Sequence, residues 1–372
     1  MSMDSPLSRR GLLASAIGAV AIISSADSAT KAPAYPEKSD SQKKSTLVQT
    51  VLGSLEAAKL GFCQSHEHVC STSAGFWLAW PEILGGRAQF VDAAVDKLRK
   101  AKEDGLDSFI DLTTMDLGRD VRLMEEVSRK SGVHIVPCTG HWLDPSWSMK
   151  ERTLEELTQY FIREIRVGIE GTQIKAGVIK VANDMEGITP FGEKLLRAAA
   201  RASKATATPI STHTFALDRI GEKQAEIFEQ EQVRPSMVCI GHSDDTTDWG
   251  YLSGLARRGY YVGMDRLRGG APIAPGAAPP DRLRATLEQR LSLIKRLADS
   301  GFSNRVMLGT DVPILMTLVS AEDLASREAR NPDGIRFVRR AVIPRLKEMG
   351  VSEDGLRTMT VENPRRFLLG AG

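Results

Sequence analysis

The chain has 372 residues, a formal net charge of +2, and 49 basic and 47 acidic residues. This length allows one large α/β domain with additions, or two smaller domains. Because the charges are interspersed, the sequence offers no basic stripe for nucleic acid and no acidic tail. We therefore expect a small-molecule partner and no nucleic-acid partner.

The amino-terminal segment carries targeting features. The paired Arg9 and Arg10 precede an apolar run that ends at Ile23, and small residues suited to a cleavage site follow. The run is shorter than the ~20 apolar residues of a membrane span, so we expect no integral membrane segment in the mature protein. The pattern predicts a twin-arginine-type signal peptide over residues 1–30, a flexible linker over 31–46, and export to the periplasm.

Beyond the linker, short apolar runs with strand-like composition alternate with stretches of helical periodicity. The eight runs are residues 61–68, 107–114, 134–142, 176–183, 209–214, 237–245, 260–267 and 305–312. Between the runs, Thr189 and Pro190 form a typical helix start, and Gly301 suits a helix end. Eight strands alternating with helices predict a (β/α)₈ TIM barrel over residues 47–372. The competing fold, a doubly wound sheet, usually has a Gly-rich phosphate loop after its first strand, and none follows here.

The first run ends in the triplet His66-Glu67-His68. Alternate side chains of a strand share a face, so the two histidines lie side by side and Glu67 points the other way. In a barrel of this class, the carboxyl ends of the strands surround one mouth. The candidate metal ligands at those positions are His66, His68, Lys180, His213, His242 and Asp311. Each has an ordinary structural explanation by itself, but their joint occurrence predicts a metal centre.

Lys180 determines the form of this centre. An ammonium beside dications is disfavoured, so this lysine must be neutral or chemically altered. Reaction with carbon dioxide would make it a carbamate (N6-carboxylysine), an anionic ligand with two oxygens that can bridge two metals. We then place one ion on the first-strand histidines and Asp311, and the other on His213 and His242. Zinc, cobalt and manganese all suit imidazole and carboxylate ligands.

The sequence resembles the bacterial phosphotriesterases (aryldialkylphosphatases) of the amidohydrolase superfamily. The resemblance extends from about Leu47 to Leu369. It is carried by the blocks "HEHVCSTSAGFWLAWPE", "TGHWLDPSWSM", "AGVIKVA", "TPFGEKLLRAAARAS", "CIGHSDDT", "GTD" and "NPDGIRFVRRAVIPRLKEMG", in that order. The six candidate ligands match the family's ligand set, with its carboxylated lysine, without a substitution. The resemblance implies two divalent metals, usually zinc, and a homodimer.

The resemblance also implies a reaction. In this family a hydroxide that bridges two metals displaces an aryl-type leaving group from phosphorus in line, without a side-chain nucleophile. Asp311 and Lys180 are the candidate catalytic residues, and Asp311 would orient the hydroxide and carry its proton away. We therefore expect hydrolysis of neutral organophosphate triesters. The alternative is a lactonase or carboxylesterase on the same metals, because the same hydroxide can attack a carbonyl. A metal-stabilised binding protein is a third reading, which the complete ligand set disfavours.

The candidate substrate pocket departs from the family pattern. Trp142 matches a family aromatic that lines the leaving-group pocket, and Leu143 beside it is a further pocket candidate. Met316, Leu318 and Val319 stand where the best phosphotriesterases carry aromatic residues. Aliphatic walls still bury a leaving group, but they lose stacking worth ~0.5–1.5 kcal/mol per aromatic pair.

The loop after the seventh predicted strand also differs. Arg266 could hold Asp245 or Asp311 in place, or meet an anionic substrate group, but it cannot relay a proton as histidine can. Thr247 stands where the family pattern has a carboxylate. The Gly/Pro/Ala-rich segment 268–284 is either a mobile flap over the mouth or a surface insertion. The length of this loop favours phosphotriesterases over lactonases.

Overall fold

The computed structural model describes residues 46–80, 82, 85–143, 145–269, 284–316 and 320–371, without the side chains of Leu78, Met316 and Ala321. The expected signal peptide, nearly all of the linker and residues 270–283 of the predicted flap lie outside the described residues. In the described part, no helix combines the length and apolar character that a membrane span requires.

The strands are β1 (Leu47–Thr50), β2 (Gly53–Glu56), β3 (Cys63–Ser71), β4 (Ser108–Asp111), β5 (His134–Gly140), β6 (Val178–Ala182), β7 (Ile210–His213), β8 (Val238–Ile240), β9 (Tyr261–Met264), β10 (Val306–Leu308) and β11 (Pro313–Met316). The α-helices are α1 (Phe76–Ala79), α2 (Arg87–Glu103), α3 (Val121–Ser131), α4 (Trp147–Lys150), α5 (Leu154–Arg166), α6 (Pro190–Thr206), α7 (Ile220–Gln230), α8 (Trp249–Arg257), α9 (Leu287–Asp299), α10 (Ala321–Arg330), α11 (Ile343–Glu348), α12 (Glu353–Arg357) and α13 (Asn363–Leu368).

Nine strands form one curled sheet in the order β10-β9-β8-β7-β6-β5-β4-β3-β11, and every neighbouring pair is parallel. From β3 to β10 the spatial order follows the chain, with helices between the strands. At the end of β10, the Leu308 carbonyl accepts from the Ser65 hydroxyl at 3.1 Å, and just beyond it the Asp311 amide donates to the His66 carbonyl at 3.0 Å. These features give an α/β fold consistent with a TIM-like barrel.

Each of the eight predicted runs overlaps one parallel strand, from β3 to β10, and only β3 extends past its run, by three residues to Ser71. The predicted helix start is also confirmed, because the Thr189 side chain accepts from the Gly192 amide and Pro190 occupies the first turn. Gly301 follows α9 with φ of +82°, as a helix-ending glycine does. Three strands were not predicted: the antiparallel hairpin β1–β2, and β11, which pairs with β3.

The core lies on both faces of the sheet, because alternate side chains of each strand point to opposite sides. On β5, Val136 and Cys138 pack among residues that the sheet encloses, whereas Ile135 packs in the larger cluster shared with the helices. The four cysteines, Cys63, Cys70, Cys138 and Cys239, are buried and free. Both faces are thus filled, and the carboxyl ends of the parallel strands meet at one edge.

Candidate metal centre

The six predicted ligands lie at this carboxyl-end edge. They are His66 and His68 on β3, Lys180 on β6, His213 at the end of β7, His242 after β8 and Asp311 after β10. All are buried except Asp311, whose side chain is 17% exposed. The fold therefore brings together side chains that are distant in sequence, as the sequence predicted.

The first group joins the two histidines of β3 to Asp311. The Oδ1 atom of Asp311 lies 3.2 Å from Nε2 of His68 and 3.6 Å from Nε2 of His66. The other ring nitrogen of His68 contacts the Thr113 hydroxyl at 2.9 Å. One donor atom from each of the three residues lies within 4.8 Å of the others, which is a spacing that one ion can bridge.

The second group joins His213 and His242. Nδ1 of His213 lies 2.9 Å from Nε2 of His242, and the Trp142 indole donates to the same Nδ1 at 3.4 Å. The remaining nitrogen of His213, Nε2, contacts Oδ2 of Asp184 at 3.2 Å. Two nitrogens thus face each other at the centre, while Asp184 holds the outer side of the His213 ring.

Lys180 reaches the centre from β6. Its Nζ lies 3.4 Å from Nε2 of His66, and the residue is 1% exposed. Burial lowers the pKa of Lys180 to about 8, while Asp265 and Asp311 oppose the shift. The neighbouring strand approaches closely here: a Cβ at Gly140, where φ is +117°, would lie 1.8 Å from the Lys180 carbonyl oxygen.

Asp265, which immediately follows β9, connects the two groups. Its Oδ2 lies 2.9 Å from Nδ1 of His66, and its Oδ1 lies 2.9 Å from Nδ1 of His242. The two imidazole rings stack with centroids 4.8 Å apart. One carboxylate therefore fixes a histidine from each group and leaves both Nε2 atoms facing inward. The sequence interpretation missed this role, although Asp265 lies at the carboxyl-end edge of the sheet, where the predicted ligands also lie.

The protonation states suit metal binding. Burial is the main cause that lowers the pKa values of His66, His213 and His242, so these imidazoles stay neutral and keep a lone pair for a metal. Burial alone would raise the pKa of Asp311, but His242 and the hydrogen bond with His68 hold it well below its usual value. Neutral imidazoles beside an ionised carboxylate are a donor set that fits divalent zinc, cobalt or manganese.

Glu67 is a second residue whose role the sequence interpretation missed. It points away from the histidines, as predicted, and is fully buried. Its Oε1 accepts from the Thr310 amide at 2.7 Å, and its Oε2 accepts from the Thr310 hydroxyl and from the Val312 amide at 3.4 Å. The amides on both sides of Asp311 are thus bound to β3. This clamp holds Asp311 in a left-handed conformation, with φ of +51°.

Comparison with known proteins agrees with this geometry. The sequence profile of the Phosphotriesterase family matches residues 46–368. The chain belongs to the phosphotriesterase family. It is similar to the "Phosphotriesterase homology protein" of Mycobacterium tuberculosis, with 35% identity over 331 residues, or 86% of this chain and 97% of the relative.

Two further relatives of this phosphotriesterase-family chain carry different names. The "Aryldialkylphosphatase" of Saccharolobus solfataricus is 34% identical over 316 residues, covering 84% of this chain and 96% of the relative. The "N-acetyltaurine hydrolase" of Danio rerio is 24% identical over 350 residues, covering 86% and 97%. Members of the family are typically binuclear metal hydrolases, and the chain is a phosphotriesterase-family hydrolase.

Arg266 contacts both of the carboxylates that the sequence analysis named as its possible partners, Asp245 and Asp311. Its Nε donates to Oδ2 of Asp311 at 3.1 Å, and its Nη1 donates to Asp245. Asp245 is buried and also contacts Arg284 and Arg290. Arg266 thus holds both carboxylates named in the sequence interpretation, whereas Thr247 is exposed.

The described residues include only part of the predicted substrate pocket. Trp142 lies against His213, with ring centroids 5.8 Å apart, and its amide donates to both oxygens of Asp116. Leu143 beside it is half-buried. Met316 ends β11 and pairs with Ser71, but its side chain, like Leu318 and Val319, lies outside the described residues.

We predict that Glu67→Met weakens zinc retention by about tenfold or more, because the amides beside Asp311 lose their acceptors. Titrating the zinc-loaded protein with increasing concentrations of a chelator measures how tightly zinc is held, and circular dichroism monitors folding. Glu56→Met, at an exposed glutamate, is the matched control. Folded Glu67→Met protein that holds zinc as tightly as the unmodified chain would show that the clamp does not position Asp311.

Proposed function

We propose that this chain cleaves the P–O bond between phosphorus and an aryl-type leaving group in organophosphate triesters, at a centre of two divalent metal ions. The observation that supports the proposal most directly is the convergence of six donor side chains at one edge of the sheet. Those residues are His66, His68, Lys180, His213, His242 and Asp311. The donor set and the family membership agree with this assignment.

In the proposed centre, one ion is held by the two β3 histidines and Asp311, and the other by His213 and His242. Zinc is our first assignment, and cobalt or manganese also suits these ligands. Two such ions would supply a hydroxide nucleophile near neutral pH and Lewis-acid polarisation of the phosphoryl oxygen. The buried carboxylate of Asp265 would keep one imidazole of each half in place.

Lys180 is proposed to carry a carbamate derived from CO₂. Its lowered pKa of about 8 leaves more of the amine neutral near pH 7 than an exposed lysine has. The Nζ lone pair attacks the carbon of CO₂ and the amine loses one proton, which leaves an anionic carboxylated lysine. The result replaces a cation with an anion at the point where both metals would bind.

Asp311 is proposed to orient the attacking water and to accept its proton. Its Oδ1 faces the histidines, and its Oδ2 is held by Arg266. Because arginine remains charged, Arg266 fixes the carboxylate but does not take the proton onward. Asp311 is partly exposed, so the proton can leave from it directly to solvent.

The proposed pocket surrounds this centre. Trp142, with Leu143 beside it, would contact the leaving group next to His213, and Arg266 would border the pocket at Asp311. We propose Met316, Leu318 and Val319 as the remaining wall.

The second candidate function is a lactonase or carboxylesterase on the same metals. A water activated between the same residues can attack a carbonyl as well as a phosphoryl group. The relative from Danio rerio named N-acetyltaurine hydrolase supports this second candidate, because its name indicates a carbonyl substrate whereas that of the aryldialkylphosphatase indicates a phosphoryl substrate.

We also propose a closed eight-stranded barrel, a periplasmic location and a homodimer. The strands β3 to β10 would close as an eight-stranded barrel, supported by the bonds between β3 and the residues around β10. Residues 1–30 would direct export to the periplasm. A homodimer is supported by exposed apolar side chains that follow β3 and β5, since Trp80 is 54% and Trp147 is 77% exposed.

The substrate assignment predicts that zinc-loaded protein, prepared with bicarbonate, hydrolyses an aryl dialkyl phosphate with higher kcat/KM than γ- and δ-lactones. A chelator should abolish the activity, and zinc should restore it. A lactone preference of about a hundredfold in kcat/KM, equal to roughly 2.7 kcal/mol, would replace the primary assignment with the second candidate.

For Lys180→Ala we predict loss of most activity, because the two ions lose their bridging ligand. Short carboxylic acids should restore part of the activity by occupying the space of the missing carbamate. Lys175→Ala, just before β6, is the matched control and should keep full activity. Undiminished turnover in Lys180→Ala would contradict the bridging role.

A further inference from the structure

Three arginines, which we call the arginine rim, lie on one side of the proposed centre: Arg266, Arg268 and Arg284. Arg266 donates to Oδ2 of Asp311, and Arg268 donates to the Asp311 carbonyl at 3.1 Å. Nε of Arg284 lies 2.9 Å from Oδ2 of Asp245, which Arg266 also contacts. The rim is therefore adjacent to the residue that would orient the attacking water.

The described carboxylates on this side are shared unevenly: Arg266 pairs with Asp245 and Asp311, and Arg290 pairs with Asp244 and Asp245. Asp245 is shared by three guanidinium groups, since Arg290 donates to its Oδ1 at 2.8 Å in addition to the two rim contacts. Within the described part of the chain, Arg268 forms no ion pair with a carboxylate. Its hydrogen bond to the Asp311 carbonyl uses one of its five N–H donors. Donors thus remain available on this side of the site.

The surroundings of the rim strengthen its attraction for an anion. The Arg284 side chain is 14% exposed, so its charge is already largely removed from water. Burial, followed by the nearby charge of Arg266, lowers the pKa of Arg284. Asp184, which is bound to His213, partly offsets this charge, because its carboxylate also interacts with Arg284. The attraction for an anion therefore depends on the unused donors of Arg268.

We propose that the arginine rim binds an oxyanion group, a carboxylate or sulfonate, carried by the substrate away from the bond that is cleaved. Planar guanidinium forks match such groups in geometry and charge, and they keep their charge at every working pH. The inference rests on the proposed function for the reaction itself. It narrows the substrate to a phosphotriester that carries an anionic group away from phosphorus, for which an uncharged triester is an incomplete ligand.

Equilibrium binding tests the rim without turnover. The probes are benzenesulfonate and methyl phenyl sulfone, which is uncharged and of similar size, titrated into zinc-loaded protein by calorimetry at low salt. We expect benzenesulfonate to bind about tenfold tighter or better, and Arg268→Gln or Arg284→Gln to remove most of that preference. Added salt should weaken the sulfonate selectively.

Arg258→Gln is the matched control, because Arg258 precedes β9 at its amino end and pairs with Glu229 at 2.8 Å. This variant should keep the preference. Equal affinities for the two probes would overturn the proposal, and so would a preference that survives in both rim variants, since the sulfonate would then be held by the metals. Folding of each variant is checked by circular dichroism.

Kinetics separates this inference from the proposed function. Diethyl phosphates of 3-carboxyphenol and 3-carbamoylphenol differ in one charge far from phosphorus. We expect the carboxylate to have the higher kcat/KM, and the ratio to fall about tenfold in Arg284→Gln but not in Arg258→Gln. Absent turnover of both esters would contradict the proposed function alone, whereas an unchanged ratio in the rim variant would contradict the rim alone.

Discussion

The candidate centre depends on one buried carboxylate that holds two imidazoles at once. Asp265 places an oxygen 2.9 Å from Nδ1 of His66 and another 2.9 Å from Nδ1 of His242. Each ring is thereby turned so that Nε2 faces the space between the strands, and neither ring can rotate without losing a buried hydrogen bond. Because His66 belongs to one group of donors and His242 to the other, Asp265 sets the spacing of the whole site.

A second constraint comes from the pairing of β3 with the chain around Asp311. The His66 carbonyl and the Glu67 carboxyl accept from three successive amides, those of Thr310, Asp311 and Val312. The same triplet therefore supplies two donor side chains to the centre and a clamp for a third. Since the clamp is made through backbone amides, the sheet itself fixes the geometry of the site, and a change in strand register would dismantle it.

The sequence predicted the strands and the donor set because both follow from periodicity. Parallel strands end at one edge, so polar residues that end successive apolar runs must meet, whatever their separation along the chain. The supporting residues could not be found in this way. Asp265 and His66 are 199 positions apart, and nothing in either run specifies that they pair. For Glu67, alternation gave the direction of the side chain but not its partners. Strand β11 was missed because its run, Pro313–Met316, directly follows a predicted strand.

The most direct test of the account is the metal content of Asp265→Asn. The amide offers one acceptor where the carboxylate offers two, so one of the two imidazoles loses its partner. We expect zinc affinity to fall about 10–100-fold, measured by chelator competition on folded protein, and the retained zinc to fall below two ions per chain. Asp299→Asn, which alters an exposed ion pair with Lys295, serves as the control. Folded Asp265→Asn protein that retains both ions as tightly as the control would contradict the account.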